Sequence, residues 1–388
     1  MTSRAEVLAL AALLVAVQPS AAHARAVAYQ IDEAHTGYTS AKLRPPLTRS
    51  WAVDLGGSVS YPLIAQSKVF VTVTDLSAHG TALYALDAGS GATAWGPVEL
   101  GGTYPWSNAA YDHGRVFTVN YDGLLRAFDA PTGSTLWSVQ LPNQYAFSSP
   151  PTAGGGTVYV GGSGIGGTLY AVDEGNGIVR WTADVENGDN SSPALVGSTV
   201  YVSYACQQDY AFDRHSGALL WHHDTGCEGG GGKTPVVHGG FLYDRDTGYP
   251  DPVSAVLSAQ SGSFLHPFAA GPAPAFATHT GFFLSSVNGS PGVLEARPLP
   301  FGDVLWTFVG DGGLSSAPIV TGRYVYVGSS SGMLYAVDRS SGQAVWSDNV
   351  GASILAPDEQ NVSQPLTGLA ASSGRLVVPA SNLLVAYR

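Results

Sequence analysis

The sequence predicts an all-β protein, an eight-bladed β-propeller whose blades are four-stranded antiparallel sheets. A pattern of Asp, three residues, Gly, three residues and Trp recurs about every 42 residues. Short runs of alternating apolar and polar residues, such as TVYVGG and RYVYVG, precede the copies. No segment keeps a helical period for more than about two turns. Repeats of this length with four short strands each are typical of propeller blades.

Five copies of the pattern are complete, two are degenerate and one is split between the chain ends. The complete copies have aspartates at Asp87, Asp129, Asp173, Asp213 and Asp338, and tryptophans at Trp95, Trp137, Trp181, Trp221 and Trp346. The degenerate copies keep Gly262 and Gly302, and the second also keeps Trp306. Trp51 matches only the end of the unit, whereas residues 375–388 match only its beginning. We therefore expect the strand at Trp51 to pair with the C-terminal strands, which closes the ring without an open sheet edge.

The repeated residues have structural explanations. An Asp side chain accepts backbone N–H bonds at the start of a tight turn. Gly supplies the left-handed conformation of a hairpin bulge, and Trp offers a large flat surface for the next blade. We therefore expect the Asp and Trp sets to stabilise the fold rather than to catalyse or to bind a ligand.

The first 26 residues predict a secretory signal peptide. Arg4 lies in a short polar start, an apolar run covers residues 7–17, and small residues follow. That run is too short to span a bilayer as a helix, and no other stretch predicts a membrane span. A single propeller domain is expected over residues 27–388, in a secreted, periplasmic or cell-surface location after cleavage.

Composition excludes some partners and predicts one covalent link. Charged residues make up 12% of the chain, and the net charge is −12. A nucleic-acid-binding protein needs a basic face, which this chain cannot supply. Cys206 and Cys227 are the two cysteines, and an even count in an exported protein predicts a disulfide. Two free, buried thiols are the alternative.

The repeated unit resembles the tryptophan-docking, or PQQ-like, repeat, and the resemblance covers nearly all of residues 27–388. Quinoprotein dehydrogenases carry this repeat and hold pyrroloquinoline quinone (PQQ) and calcium on the propeller axis. The propeller lipoprotein of the Bam complex carries it without a cofactor. The dehydrogenases have adjacent cysteines beside the quinone, whereas Cys206 and Cys227 are not adjacent. No residue here matches their catalytic motifs, and the repeat specifies fold more strongly than function.

Candidate ligand-binding residues occur in the connections that lead into each innermost strand. These connections place small or polar residues before a proline, as in DNSSP and LSSAP, and they surround the mouth of the central channel. Trp106 is expected as an exposed aromatic there, Lys233 as a lone cation and residues 357–365 as the last connection. The full candidate set is Tyr61, Trp106, Asn108, Ser149, Asn190, Ser192, Lys233, Thr234, Ser316, Asp358, Glu359, Asn361 and Gln364. Alternatively, the hydroxyls and amides satisfy backbone groups where the inner strands begin.

Three other stretches contain residues of the kind found in phosphate-binding or metal-binding sites. GCEGGGGKTP (226–235) lacks the first glycine of a phosphate-binding loop and continues into a β run rather than a helix. His222 and His223 are adjacent on a strand, so they point to opposite faces and cannot readily share an ion. DRDTGYPD (244–251) lacks the spacing of a helix-loop-helix calcium site and is expected to be an exposed turn. No metal site and no catalytic residue are predicted.

The sequence therefore favours an exported, monomeric, non-catalytic protein that recognises a protein, peptide or glycan at the channel mouth, with no cofactor. The alternative is a minimal quinoprotein oxidoreductase that uses PQQ and calcium. An acidic cluster of Asp189, Asp311, Asp358 and Glu359 converging on the axis would favour calcium and hence the enzyme. A ring of hydroxyls with apolar residues would favour binding.

Overall fold

A computed structural model of the protein describes residues 25–75, 80–204, 206–225, 232–245, 254–268, 271–285 and 292–388. Within these ranges the strands form eight sheets, which confirms the predicted eight-bladed propeller. Each blade runs from an innermost strand near the axis to an outermost strand at the rim. No helix in the described part of the chain is long and apolar enough to cross a membrane.

The first four blades follow the chain in order, each strand pairing antiparallel with the next. Blade 1 comprises Leu63–Ala65, Lys68–Asp75, Gly80–Asp87 and Thr93–Gly101. Blade 2 comprises Ser107–Asp112, Arg115–Asn120, Leu124–Asp129 and Thr135–Gln140. Blade 3 comprises Thr152–Gly154, Thr157–Ser163, Gly167–Asp173 and Val179–Val185. Blade 4 comprises Ala194–Val196, Thr199–Tyr204, Gln208–Asp213 and Leu219–His223.

The next three blades include the two degenerate copies of the unit. Blade 5 comprises Val236–His238, Phe241–Asp244, Ser254–Ser258 and Phe264–Phe268. Blade 6 comprises Ala275–Ala277, Thr280–Ser285, Val293–Pro298 and Trp306–Phe308. Blade 7 comprises Ile319–Thr321, Tyr324–Gly328, Met333–Asp338 and Ala344–Asn349. A short extra strand, Tyr38–Thr39, pairs parallel with the innermost strand of blade 7.

Blade 8 joins the two ends of the chain, as the split repeat predicts. Its three inner strands are Ala370–Ser372, Arg375–Ala380 and Leu383–Tyr387, and its outermost strand is Arg49–Asp54. Trp51 lies opposite Ala386 in this antiparallel pair. The backbones of Thr48 and Arg388 exchange two further hydrogen bonds of 2.9 and 3.0 Å. The ring is therefore closed by strand pairing between the beginning and the end of the described chain.

The repeated tryptophans dock onto the following blade. Six indole N–H groups donate to a backbone carbonyl that immediately follows the Asp position of the next blade, for example Trp51 to Ala88 at 3.0 Å and Trp137 to Glu174 at 2.9 Å. The glycine of that blade lies under the indole, so a Cβ on Gly177 would be 2.7 Å from the Trp137 ring. Gly is thus required both for its left-handed φ of +76° and for this close approach.

The repeated aspartates cap the turns between the third and fourth strands. Asp213 Oδ1 accepts from the backbone N–H of His215 and Ser216 and from the Ser216 hydroxyl. These bonds lower the pKa of the Asp213 carboxyl below its usual range. Asp87, Asp129, Asp173 and Asp338 accept equivalent bonds within their own turns.

An N-terminal strap, residues 25–43, crosses the propeller axis. Backbone bonds join it to innermost strands of several blades, including Ala26 to Ile64, Glu33 to Leu195 and Gly37 to Val320. Ile64, Leu195 and Val320 each lie near the C-terminal end of an innermost strand. The chain turns there into the second strand of the same blade. We call this side of the ring the turn face, and we call the opposite side, where chain passes from one blade to the next, the loop face. The strap therefore closes the channel from the turn face.

Candidate functional site

The polar ring predicted at the channel mouth is a buried belt. Tyr61, Asn108, Ser149, Ser192, Thr234 and Ser316 are each 0–2% exposed. A serine at the start of an innermost strand accepts the backbone N–H twelve residues later in several blades: Ser60 from Thr72, Ser149 from Gly161, Ser191 from Ser203 and Ser316 from Gly328. These bonds match the alternative in which hydroxyls satisfy the backbone. Ligand binding by this set remains a prediction.

The same belt links neighbouring blades. The Ser149 hydroxyl donates to the Ser191 carbonyl at 2.5 Å, and the Thr234 hydroxyl accepts from the Ser192 N–H at 3.1 Å. The Tyr61 hydroxyl donates to the Ala109 carbonyl at 2.7 Å. Asn108 differs, because both atoms of its buried side-chain amide have no hydrogen-bond partner in the described part of the chain.

Trp106 corrects the expectation of an exposed aromatic. Its side chain is 2% exposed and packs in a core cluster with Phe117, Phe147 and Tyr170. The apolar contact area of this large ring places it inside, between blades 2 and 3.

Residues 357–361 cross the channel mouth instead of leading directly into an innermost strand. That strand of blade 8 begins only at Ala370. The expectation that residues 357–365 lead directly into it is therefore wrong. The Gln360 side chain accepts from the Asn190 amide at 3.2 Å and donates to the Gly232 carbonyl at 2.5 Å. Asn361 bonds locally to Ser363, Asp358 is exposed and Gln364 is half-buried.

A buried ion pair fixes this crossing segment to blade 5. Arg245 donates to Glu359 Oε1 at 2.5 Å, and both side chains are 1% exposed. The Thr234 N–H donates to the other oxygen, Oε2, at 2.6 Å. Lys233 is therefore not a lone cation, since Arg245 lies nearby. Burial first, and then the charge of Arg245, lowers the pKa of Lys233. The turn expected at residues 244–251 is likewise wrong at Arg245, while residues 246–251 lie outside the described ranges.

Side chains of the strap fill the channel below this ion pair. Tyr29, Gln30 and His35 are 0–1% exposed. The two ring nitrogens of His35 lie 2.8 and 3.0 Å from the carbonyl oxygens of Tyr29 and Pro193, and burial lowers the pKa of the imidazole. Both mouths of the channel are thus spanned by the protein's own chain.

The axial residues do not fit a calcium and quinone site. The Glu359 carboxylate is already bonded to Arg245 and Thr234, and Asp311 accepts from the hydroxyls of Ser329 and Ser331. Among the described residues, Asp189, Asp311, Asp358 and Glu359 do not form a cluster of metal-ligand geometry.

The loop face instead presents an aromatic patch that the sequence interpretation missed, formed by Tyr104, Tyr121, Tyr145 and Ile165. Tyr104 is 43% exposed, Tyr145 64% and Ile165 74%. The rings of Tyr104 and Tyr121 meet edge to face with centroids 4.5 Å apart. The Tyr121 carbonyl accepts from the Phe147 N–H at 2.9 Å, which holds the neighbouring loop of Tyr145 against it.

The Gln144 side chain fixes the backbone of Ile165 within the patch. Its side-chain carbonyl accepts from the Ile165 N–H at 2.9 Å, and its amide donates to the Ile165 carbonyl at 3.0 Å. Gly164 and Gly166 flank Ile165 with φ of +125° and +67°, and the Tyr145 ring lies against Gly164. The sequence GSGIGG is the signal that could have indicated an exposed Ile165. An isoleucine between glycines is typical of a loop rather than of a buried strand.

Acidic groups border the aromatic patch. Asp122 accepts from the Thr103 N–H at 3.0 Å, next to Tyr104 in the chain. Burial raises the pKa of Tyr121, and nearby Tyr104, Asp189 and Asp122 raise it further. An apolar centre with a polar, charged rim is the usual anatomy of a protein-binding surface.

The predicted disulfide extends beyond the described residues. Cys206 is 2% exposed with a φ of +69°, and Cys227 lies outside the described ranges. The pairing of Cys206 with Cys227 therefore remains a prediction.

Comparison with known proteins identifies a family model and several relatives. The model described as outer membrane protein assembly factor BamB matches residues 121–291 and 167–386. Outer membrane protein assembly factor BamB of Yersinia pestis is 25% identical over 266 residues, which are 65% of this chain and 59% of that protein. Tetrathionate hydrolase of Acidithiobacillus ferrooxidans is 26% identical over 195 residues, which are 46% of this chain and 38% of that protein. The chain thus spans less than two thirds of the length of either relative.

Solved structures share the fold. BamB from Moraxella catarrhalis superimposes with a TM-score of 0.62 at 18% identity, covering 88% of this chain and 97% of that chain. Quinohemoprotein alcohol dehydrogenase from Comamonas testosteroni superimposes with a TM-score of 0.68 at 14% identity, covering 94% and 80%. At such identities the likeness establishes the architecture alone.

Proposed function

Because the chain belongs to the family of outer membrane protein assembly factor BamB, we propose that it is an exported, non-catalytic scaffold that binds another protein through the aromatic patch. The observation that carries the proposal is the exposure of Tyr145 and Ile165, 64% and 74%, on loops held by Gln144. Exposed tyrosines on a rigid framework give contact area at a low cost in conformational entropy. The role requires neither PQQ nor calcium, and one copy of the chain is sufficient.

The chemistry of the patch defines the partner. Ile165 supplies an aliphatic tip, which favours a protein or peptide over a glycan. The acids near Tyr121, namely Asp122 and Asp189, and the net charge of −12 favour a partner with lysine or arginine around an apolar centre. An extracytoplasmic location follows if residues 1–26 are removed on export.

Site-specific photo-crosslinking in the exporting host tests the proposal. A photoreactive amino acid at position 165 should form an adduct with a single protein, whereas the same probe at Ile178 should not. Ile178 is a matched control, since it is 63% exposed at the turn face of the same blade. With the captured partner purified, Ile165→Asp should weaken binding at least tenfold and Ile178→Asp should leave it unchanged. Equal binding by the two variants would contradict the patch.

A second measurement separates the scaffold from an oxidoreductase. The purified exported protein is unfolded thermally alone and with calcium plus PQQ. A ligand at a hundred times its dissociation constant adds roughly 2.7 kcal/mol to the free energy of unfolding. A shift that needs both compounds would overturn the cofactor-free scaffold and would direct assays toward alcohols and sugars.

A further inference from the structure

Asp112, His113 and Glu174 form a compact cluster where blades 2 and 3 meet on the turn face. His113 Nδ1 lies 2.9 Å from Asp112 Oδ2 and 3.2 Å from Glu174 Oε2. One ligand-type atom from each residue lies within 4.8 Å of the others, and no other His, Cys, Asp and Glu side chains in the described ranges form such a group. The cluster is on the side of the ring opposite the aromatic patch, so it is independent of the proposed binding role.

Glu174 shows that the cluster has an unmet demand for positive charge. Its side chain is only 3% exposed, and its Oε1 is buried without a hydrogen-bond partner. Its other oxygen faces the same imidazole nitrogen as the carboxylate of Asp112. Burying a carboxylate without full hydrogen bonding is costly, and the contacts of the other oxygen leave Oε1 unsatisfied.

The fold does not explain the carboxylate of Glu174. The equivalent position is alanine in three other units, at Ala88, Ala130 and Ala259, and arginine in two, at Arg214 and Arg339, so an acidic residue is not what the repeat requires there. What the repeat uses at this position is the backbone, because the Glu174 carbonyl accepts from the Trp137 indole at 2.9 Å. The acidic side chain is therefore additional to the docking geometry, and it points to a ligand.

We infer that Asp112, His113 and Glu174 bind a divalent transition-metal ion, of which Zn²⁺ is the best probe. Imidazole nitrogen and carboxylate oxygen are ordinary zinc ligands, with bonds of about 2.0–2.2 Å that place tetrahedral ligand atoms about 3.4 Å apart. The observed 2.9 and 3.2 Å require only a small outward movement. The ion takes the position of the proton on Nδ1, and the neutral imidazole then carries its proton on Nε2.

The residue types also select the class of ion. Calcium and magnesium prefer oxygen-only sites, whereas an imidazole ligand favours zinc and neighbouring transition metals. His113 is 62% exposed, which gives the ion a route from solvent. Asp112 and His113 belong to blade 2 and Glu174 belongs to blade 3, so the bound ion would cross-link the two blades.

Calorimetric titration of the purified, chelator-treated exported protein with Zn²⁺ tests the site. Wild type should bind one ion, and His113→Ala and Glu174→Gln should each raise the dissociation constant at least tenfold. His215→Ala, at an exposed turn histidine of blade 4, is the matched control and should bind as wild type does. His113→Ala also removes a partner of the buried Glu174 carboxylate, so circular dichroism checks that the variant folds, and Glu174→Gln supplies the second variant.

Cobalt substitution gives a second readout. Co²⁺ held by imidazole and carboxylates should produce visible absorption bands that His113→Ala abolishes. Zinc binding weaker than about 1 mM, or binding that all three variants share with wild type, would overturn the assignment. Tighter binding of Ca²⁺ than of Zn²⁺ would overturn the class of ion.

Discussion

Arg245 and Glu359 form a fully buried ion pair, 2.5 Å from Nη2 to Oε1, that ties blade 5 to the segment crossing the channel mouth. Removing one member of such a pair leaves the other charge uncompensated in the interior, which costs about 3–5 kcal/mol. We expect Glu359→Gln to lower the free energy of unfolding by this amount, measured by urea denaturation. Asp358→Asn, at the exposed neighbour, should change it by less than about 0.5 kcal/mol. Similar midpoints for the two variants would show that the pair is not the anchor.

The contact between Gly177 and Trp137 predicts a difference between two glycines of the same backbone class. Gly177 and Gly197 have φ of +76° and +58°, so alanine costs roughly 1–2 kcal/mol at either position. At Gly177 the new Cβ also meets the Trp137 ring, whereas nothing lies within 4 Å of Gly197. We expect Gly177→Ala to lose about 1–3 kcal/mol more than Gly197→Ala, measured by urea unfolding with tryptophan fluorescence. Equal losses would mean that only backbone conformation matters.

Asp32 in the strap predicts a pH dependence of stability. Burial raises the pKa of its carboxyl from 3.8 to about 6. The folded state therefore binds more protons than the unfolded state between these values, and this contribution to stability is lost as pH rises toward 6. Asp32→Asn keeps an acceptor for the Thr36 N–H and removes the charge. It should match wild type near pH 4 and exceed it by about 3 kcal/mol at pH 7.

Denaturant midpoints across this pH range measure the effect. Asp303→Asn, at an exposed position, is the control and should follow the wild-type profile. A constant offset between Asp32→Asn and wild type at all pH values would argue for a packing effect rather than for titration of Asp32.

Gln144 predicts that rigidity of the aromatic patch contributes to affinity. Gln144→Ala leaves Tyr145 and Ile165 in place but removes the bonds that hold the Ile165 backbone. Ordering a loop on binding costs free energy that a preorganised loop does not lose. We expect binding of the cross-linked partner to weaken about tenfold, while stability to urea changes little. Gln343→Ala, at an exposed turn position before the outermost strand of blade 7, should leave both unchanged.

The repeat predicts those features that one unit specifies by itself. Asp213 caps its own turn, and Trp137 needs only the glycine and carbonyl of the next copy, so each can be inferred from local spacing. The pairing of Trp51 with the C-terminal strands follows from the same logic. The mouth of the channel is different, because Arg245 and Glu359 are 114 residues apart and neither belongs to the repeated pattern.

The sequence also could not predict which aromatic side chain of one loop is exposed and which is buried. Tyr104 and Trp106 lie two residues apart in YPW, yet the first is 43% and the second 2% exposed. Which side chain enters the core depends on the neighbouring blade, where Phe147 and Tyr170 leave space for an indole. The position of the strap across the channel could not be predicted from sequence either. Its bonds to the innermost strands are made mainly by its backbone, and backbone bonds do not require particular residue types.

The shared blade also sets the order in which the molecule is completed. The outermost strand of blade 8, Arg49–Asp54, is synthesised before its partner, so it waits until the strand Leu383–Tyr387 is available. The ends that meet here are 340 residues apart at Thr48 and Arg388, and closing so long a loop is slow because its entropy must be lost before the contact forms. Until then the row of open backbone groups on Arg49–Asp54 is a template for intermolecular pairing. Truncations at the far C-terminus should therefore cause association between molecules rather than simple fraying.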